Sequence, residues 1–313
     1  MPEELYTTAP REWGRWGAGD EVGRANLLTA ARVVDAARCI RTGRRFSLAL
    51  PVNADGSDPA LPGRPATEHR MLRDHQSYLT GEAVDARGGG RSTDDWIGLA
   101  CHGTTHLDAL GHAYTGDELW NGHPATSTIG GLRYADAAAL ARFGIVGRAL
   151  LADLPRWRGT ERVPRGEQIT IGEVGAALDA GGVHARPGDT ILIRTGTAPQ
   201  FAADRGPDGS WPEDEPGLTY EPELIAFVRD LDIAGLGTDT LCNEQAHSAT
   251  VDAEFPLHVL LQRNLGVLFH EALWLEDWAD DCAADGVYEA FYVAAPLRIR
   301  HASGGPMNPI VIK

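Results

Sequence analysis

The sequence predicts an α/β fold, in which apolar strands alternate with helices along the chain. Short apolar runs rich in Val, Ile and Leu are typical of buried strands, and apolar residues spaced three and four apart indicate helices. Gly and Pro residues mark the boundaries between these segments. The chain has 313 residues, of which 43% are hydrophobic and 23% charged, so it can bury a sizeable core.

The first third of the chain begins with helical spacing. Residues 31–40 predict a helix that ends before a Thr-Gly stop, and 46–52 predicts a strand. We therefore expect residues 1–45 to form an N-terminal helical extension. Residues 53–93 are polar and rich in Gly and Pro, which predicts a long loop. Residues 95–101 predict a short strand that leads directly into a cluster of histidines.

Strands and helices then alternate to the end of the chain. Thr170 and Glu173 form a predicted capping box, and Pro222 suits the first turn of a helix. An acidic segment rich in Pro and Gly at 198–218 predicts a second long loop. No linker is evident, so we expect one domain over 1–313. The predicted strands are 144–154, 189–196, 232–240, 265–275 and 287–299, and the predicted helices are 170–182, 221–231 and 256–264.

Composition argues against several classes of protein. The formal net charge of -16 disfavours nucleic acid and anionic membranes as partners, because both require a basic surface. No run approaches the ~18 apolar residues of a membrane span, and the N-terminus lacks the pattern of a signal peptide. The cysteines are far apart and form no CxxC pair, which indicates reduced thiols and a cytoplasmic protein. These cysteines are Cys39, Cys101, Cys242 and Cys282.

The segment CHGTTHLDALGH at 101–112 contains three of the chain's eleven histidines. On an extended strand His106 and Asp108 share a face, because strand side chains repeat every two residues. The glycine and threonines suit a turn that returns His102 to the same side, while His112 would lie at the rim. Two imidazoles and a carboxylate form a ligand set typical of Zn, Mn or Fe(II). The alternative is a hydrogen-bonded turn of ordinary polar residues.

One segment supplies only one side of a metal site, so further ligands are expected elsewhere. His258 lies early in a predicted helix, and Glu271 follows a predicted apolar strand. Each has a structural alternative, as a histidine at a helix start or a carboxylate favoured by a helix dipole. A covalent nucleophile is not indicated, because there is no GxSxG motif and Cys101 and His102 would point apart on a strand.

The segment HGTTHLDALGH resembles the H-x-G-T-H-x-D-x-x-x-H motif of the metal-dependent cyclase family, which includes bacterial kynurenine formamidase and isatin hydrolase. The segments WGAGDEVGRANLLT, GDTILIRTG, GLGTDT, PLHVLLQRNLGVLFHEAL and AAPLRIRHASGGPMNPI agree in order, so the resemblance covers most of the chain. It implies a swivelling β/β/α fold with a mixed sheet and flanking helices. It also implies homodimers or homotetramers, and hydrolysis of amides that are often cyclic.

Carried over by position, the resemblance implies that His102, His106 and Asp108 bind a divalent metal ion. His112 would be the residue that handles protons. The expected cofactor is Mn²⁺ or Zn²⁺, as one ion or two.

The resemblance also implies that His258 and Glu271 complete a second metal site, which Asp108 would bridge. The chain departs from the family pattern at several positions. Leu110 stands where the small formamidases usually carry proline, and Cys242 stands near a usual serine. The motif's glycine precedes two threonines. The segment between His258 and Glu271 is one residue longer than in the small members of the family.

Three further residues near the cluster are candidate substrate contacts. Trp96 and Trp120 flank the cluster in sequence, and His123 follows it closely. The alternative for the two tryptophans is a place in the core or a loop anchor.

The combined prediction is a metal-dependent hydrolase that cleaves a C–N bond of a small cyclic amide or aryl formamide. One alternative is a metal-dependent cyclase or dehydratase, or a lactone hydrolase, in secondary metabolism. Another is a small-molecule binding module that retains the fold without catalysis. Only a small-molecule substrate is expected as a ligand beyond the metal.

Overall fold

The computed structural model describes residues 2–53, 63–204 and 214–313, and a mixed β-sheet organises the described part of the chain. The strands are β1 (Arg45–Ser47), β2 (Glu68–Arg73), β3 (Asp94–Gly98), β4 (His106–Asp108), β5 (Val146–Asp153), β6 (Gln168–Ile169), β7 (Thr190–Arg194), β8 (Gly217–Leu218), β9 (Gly235–Thr238), β10 (His247–Ser248), β11 (Ala253–Glu254), β12 (Leu268–Glu271), β13 (Glu289–Val293), β14 (Gly304–Pro306) and β15 (Ile310–Ile312).

The helices lie between these strands. The α-helices are α1 (Pro2–Thr8), α2 (Ala30–Ala36), α3 (His75–Leu79), α4 (Ala137–Phe143), α5 (Leu154–Arg158), α6 (Ile171–Ala180), α7 (Phe201–Asp204), α8 (Pro222–Asp230) and α9 (Glu276–Asp285). Short 3₁₀ segments occur at Gly23–Leu27, Ala37–Cys39, Trp120–Gly122, Ala125–Thr128 and Ala198–Gln200, and His258–Arg263 is a π-helix.

Among the described residues the main sheet has nine strands, in the order β1-β15-β13-β5-β7-β9-β12-β4-β14. Its centre is parallel, from β5 through β7 and β9 to β12. The strands on either side of this centre pair antiparallel. The α/β prediction, with a mixed sheet and flanking helices, is therefore confirmed.

Both faces of the sheet are covered, because alternate residues of each central strand enter two different cores. Ile191 and Ile193 of β7 pack in one core with residues of α6 and α8. Leu192, between them, packs in the other core with Leu140 of α4 and Trp278 of α9. Strands buried on both faces are apolar throughout, which explains why the sequence reads them as continuous hydrophobic runs.

The predicted helix signals are present. Thr170 and Glu173 exchange side-chain and backbone hydrogen bonds in a capping box at the start of α6. Pro222 occupies the first turn of α8, where the missing N–H has no intrahelical partner to lose. No helix in the described ranges is long and apolar enough to cross a membrane.

Several predicted segments differ from the structure. The predicted loop at 53–93 contains β2 and α3, and the predicted loop at 198–218 contains α7 and β8. Within these two loops, 54–62 and 205–213 lie outside the described residues. Asp74 explains the unexpected helix α3, because its side chain accepts a hydrogen bond from the Ser77 backbone in a capping box.

Two predicted strands and one helix also need correction. The strand predicted at 95–101 ends at Gly98 and pairs only with β2, in a hairpin separate from the main sheet. The strand predicted at 46–52 ends at Ser47. The helix predicted at 31–40 is α-helical only to Ala36 and continues as a 3₁₀ turn. In each case the apolar pattern continues beyond the residues that have a regular backbone partner.

Candidate metal centre

Strand β4 presents the two central side chains of the site. His106 lies opposite Glu271 of β12, and Asp108 lies opposite Gly304 of β14. Residues directly opposite each other in an antiparallel pair share a face, so His106, Asp108 and Glu271 lie on one side of the sheet. Leu107, between the two, is fully buried in the core on the other side. The predicted alternation along this strand is thus present.

A turn before β4 returns His102 to the same place. Its Nδ1 lies 2.9 Å from Asp108 Oδ1, and its Nε2 lies 3.0 Å from the hydroxyl of Ser303. The imidazole packs directly against Gly304, where an added Cβ would be 2.4 Å from the ring. A glycine at this position of β14 therefore makes room for His102.

The His106 ring is oriented by the backbone. Its Nδ1 donates a hydrogen bond of 2.8 Å to the carbonyl of Thr104, so Nε2 is the nitrogen that faces the cluster. This Nε2 lies 3.4 Å from Asp108 Oδ1 and 3.3 Å from Glu271 Oε2. The side chain is 1% exposed.

His258 enters the site from the start of the π-helix. Its Nε2 lies 3.5 Å from Asp108 Oδ2 and 3.6 Å from Glu271 Oε1. Its Nδ1 donates to Glu244 Oε1 at 2.6 Å, and the same carboxylate accepts the backbone N–H groups of Leu257 and His258. A carboxylate behind a histidine fixes the ring and increases the basicity of the other nitrogen.

The two oxygens of each carboxylate, Asp108 and Glu271, face different histidines. Asp108 Oδ1 faces His102 and His106, whereas its Oδ2 faces His258. Glu271 Oε2 faces His106, and its Oε1 faces His258 and also accepts the backbone N–H of Asn243. This arrangement could hold one ion, or two ions that share both carboxylates.

The donor atoms fit a divalent cation. Asp108 Oδ1 and Oδ2, His102 Nδ1 and His106 Nε2 are buried and lie close to one another, but none of them makes a hydrogen bond of regular geometry among the described residues. Such burial is costly unless another group satisfies these atoms. The ligand atoms of His102, His106 and Asp108 lie within 4.8 Å of one another, and those of Asp108, His112 and His258 do likewise.

Electrostatics at the site also favours a cation. Burial lowers the pKa of His106, but hydrogen bonds and charge from Asp108 and Glu271 outweigh burial and raise the pKa to about 9. Burial raises the pKa of Asp108, yet the surrounding histidines lower it well below its usual value. The negative charge that holds a proton on an imidazole equally attracts a metal ion in place of that proton.

His112 lies beside the cluster rather than within a hydrogen-bond network. Its ring stacks on His102 with centroids 4.2 Å apart, and it meets the His258 ring at 5.9 Å. Burial is the largest influence on its pKa, and together with the neighbouring histidines it lowers the pKa to about 3. The ring is therefore neutral at pH 7, which is the form of an imidazole that binds a metal ion.

A model of a family described as "Putative cyclase" matches residues 46–245. The chain belongs to this cyclase family. The matched range includes the histidine cluster and ends before His258. No protein with a curated description matches the chain.

Solved structures agree with the cyclase assignment. A crystal structure of a novel cyclase is 32% identical and has a TM-score of 0.85, over 97% of this chain and 100% of that one. Isatin hydrolase A from Ralstonia solanacearum is 19% identical with a TM-score of 0.63, over 91% and 98% of the two chains. Isatin hydrolase A from Labrenzia aggregata, bound to benzyl benzoate, is 20% identical with a TM-score of 0.60, over 91% and 97%.

A cleft of about 340 Å³ opens onto the cyclase site. Its lining includes the predicted site residues His112, His258 and Glu271. The remaining lining residues are Arg64, Ala113, Tyr114, Cys242, Glu254, Phe255 and Val259.

The three candidate substrate contacts, Trp96, Trp120 and His123, are not among the lining residues of this cleft. Trp120 is fully buried in the core, with its ring tilted against that of Trp16 at a centroid distance of 6.4 Å. Trp96 is 39% exposed on the β2–β3 hairpin, with Arg70 over its ring. His123 stacks on Tyr134 with centroids 4.4 Å apart. Substrate contact by these three residues stays a prediction.

Sequence reasoning missed the residues that support the ligands. Glu244 lies fourteen positions before His258 and outside the helix that carries it, so no helix or strand periodicity connects the two residues. Ser303 and Gly304 belong to a segment that resembles the cyclase family, but nothing in their spacing connects them with His102. Arg64 and Phe255 line the cleft from segments with no motif of their own.

Proposed function

We propose that this cyclase-family protein is a metal-dependent hydrolase that cleaves the C–N bond of a small cyclic amide or aryl formamide. The observation that carries the proposal is the buried set of His102, His106 and Asp108, whose ligand atoms lie within 4.8 Å of one another and make no hydrogen bond of regular geometry among the described residues. Two structures of the same fold are isatin hydrolases, and isatin is itself a cyclic amide.

The residues present suit such a reaction. His102, His106 and Asp108 would hold the metal ion, with His258 and Glu271 as ligands on the other side. A bound Zn²⁺ or Mn²⁺ would supply a Lewis acid for a carbonyl oxygen and lower the pKa of bound water towards ~7.

His112 is the residue we assign to proton transfer. Its ring stacks on His102, and its ligand nitrogen lies within 4.8 Å of ligand atoms of Asp108 and His258, so it is placed to take a proton from water at the site. The protonated ring would then give that proton to the departing nitrogen, which is a poor leaving group without it. This sequence of steps returns His112 to its neutral form.

A covalent route is not favoured by the nearest thiol. Cys242 lines the cleft, but burial and the charge of nearby carboxylates raise its pKa well above its usual value. The thiol is therefore protonated at neutral pH and is a weak nucleophile. Direct attack by water agrees better with these surroundings.

Metal analysis and isotope labelling test the proposal together. The purified protein should contain Mn²⁺ or Zn²⁺, and His106→Ala should lose most of it, because the remaining ligands bind a metal poorly. Hydrolysis of a lactam or formanilide panel in ¹⁸O-water should place one heavy oxygen in the carboxylate or formate product. Full metal occupancy in His106→Ala would contradict the assigned ligands.

A cyclase or dehydratase is the second candidate, favoured by the 32% identity with a protein described as a novel cyclase. The same ligands and the same proton donor could assist ring closure with loss of water. Failure to hydrolyse any amide or ester, together with ring closure of an open-chain acid, would replace the first proposal with this one.

A further inference from the structure

Arg64 is the cationic side chain of the cleft lining. Its Nη1 donates a 2.6 Å hydrogen bond to the carbonyl oxygen of His102, so its guanidinium is attached to the loop that carries a proposed metal ligand. The side chain is half-buried. Among the described residues this bond uses one of its five N–H donors, and the other donors have no partner there.

This arginine has no carboxylate partner among the described residues, although it lines a cleft. Many other arginines pair closely, as Arg148 does with Asp189 and Arg194 with Glu276. Glu254 also lines the cleft, but it is exposed and forms no ion pair with Arg64. The positive charge therefore faces the space where a substrate would bind.

Aromatic rings line the same cleft. Tyr114 is 46% exposed, and the Phe255 ring meets the His258 ring edge to face at a centroid distance of 5.9 Å. Phe255 has a φ of 47°, which is a costly conformation for an aromatic residue, and its ring lies beside the proposed metal ligand His258. A flat ring is therefore the shape that these walls favour.

We propose that Arg64 determines specificity for an aromatic substrate that carries a carboxylate in addition to its scissile amide. This substrate class rests on the proposed hydrolase function. Arg64 is bonded to the backbone of His102, whose ring faces Asp108, so one small molecule can reach both groups. The guanidinium would bind the carboxylate through two parallel hydrogen bonds, a geometry that a lysine cannot reproduce.

The test compares two probes that differ by one carboxylate, 2-formamidobenzoate and formanilide. Their dissociation constants are measured by calorimetry on the metal-loaded protein, or as KM where they are hydrolysed. We expect the wild type to prefer the carboxylate by roughly 10–100-fold, the usual value of a lost charge-assisted pair. Arg64→Gln should reduce this preference to within about threefold, and Arg64→Lys should retain part of it.

Two controls separate Arg64 from the metal ion. Arg142→Gln removes an exposed arginine outside the cleft and should keep the full preference. Chelation of the metal should lower the affinity for both probes but leave the Arg64-dependent difference, and the metal content of Arg64→Gln should equal that of the wild type.

The outcomes distinguish this inference from the proposed function. The role of Arg64 would be overturned if the preference for the carboxylate probe persisted in Arg64→Gln. It would also be overturned if the wild type showed no preference or bound neither probe. Binding with the expected preference but without hydrolysis would support Arg64 as an anion-binding residue and count against the proposed hydrolase activity, which the wider amide panel then decides.

Discussion

Single residues at this site act through the orientation of their ring nitrogens. Thr104 and Glu244 each accept a hydrogen bond from the Nδ1 of a histidine, so that Nε2 of His106 and of His258 faces the carboxylates. His102 instead directs Nδ1 to Asp108. The group behind each ring thus selects the nitrogen that faces the cluster, which is Nε2 in His106 and His258 and Nδ1 in His102.

His112→Ala tests whether the fourth histidine transfers protons or binds metal. We expect the metal content to remain and turnover to fall by ~10²–10⁴-fold, the usual range for general acid–base catalysis. Elemental analysis and kcat on the same preparation provide the two measurements. Loss of one of two ions would instead identify His112 as a ligand, which its distance to Asp108 and His258 also allows.

Glu244→Gln tests the support behind His258. The amide retains the shape of the side chain but loses the charge, so we expect ~10–100-fold weaker binding of the ion that His258 holds. Titration of the chelated protein with Zn²⁺ or Mn²⁺ measures this affinity. Glu254→Gln is the matched control, because this carboxylate lines the same cleft but is exposed and lies outside the ligand set. Equal affinities in both variants would contradict a positioning role.

At the scale of elements, the site depends on three neighbouring strands and one unusual helix. Strands β12, β4 and β14 bring Glu271, His106 and Gly304 side by side from distant parts of the sequence. The helix that carries His258 is a π-helix over His258–Arg263. In a π-helix the backbone hydrogen bonds join residues five apart rather than four, so each turn is wider than in an α-helix. Such turns frequently occur at functional sites.

The π-helix presents polar and apolar side chains to different surroundings. His258 faces Asp108, while Leu260 and Leu261 are buried in the core.

Gly304→Ala tests the contribution of β14. The added methyl group would lie 2.4 Å from the His102 ring, so the ring must move and metal affinity should fall. Overpacking of this kind costs ~1–3 kcal/mol, which should also lower the thermal midpoint of the chelated protein. Metal titration and thermal unfolding provide the two measurements.

Gly175→Ala is the control for this substitution. Gly175 lies within α6, where an added Cβ meets no heavy atom within 4 Å. Alanine should stabilise the helix by up to ~1 kcal/mol and leave the metal affinity unchanged. Unchanged metal affinity in Gly304→Ala as well would show that His102 does not need its observed position.

At the scale of the whole molecule, the β2–β3 hairpin lies apart from the main sheet with apolar side chains in solvent. Met71, Leu72 and Ile97 are 45%, 56% and 48% exposed. A two-stranded hairpin is only marginally stable by itself in water, so contact with further protein would stabilise it. This exposure agrees with the homodimer or homotetramer expected from the family resemblance.

We therefore expect the protein to form a homo-oligomer in solution. Light scattering at micromolar concentration should give a mass of at least twice the 33.6 kDa of one chain. Replacing Leu72 and Ile97 with Ser should shift the assembly towards monomers if the hairpin lies at the contact, and Leu297→Ser, at another exposed apolar position, is the control. A 33.6 kDa species in the wild type would reject the expectation.

Local patterns determined more of the fold than of the site. The alternation of His106, Leu107 and Asp108 predicted which side chains share a face, because a strand has a period of two. The capping residues of α6 predicted its start, since that motif involves only four consecutive positions. Trp120 was ambiguous, because a large aromatic side chain suits a core and a pocket equally.

The sequence by itself determined the α/β class, the family, and a candidate ligand set of His102, His106 and Asp108, because each depends on residues close together in the chain. Only the tertiary structure decided that Glu244 supports His258 and that Gly304 makes room for His102. It also decided that Arg64 lies at the cleft. These contacts depend on the register of strands and loops far apart in sequence, and no local periodicity records which distant residues a register brings together.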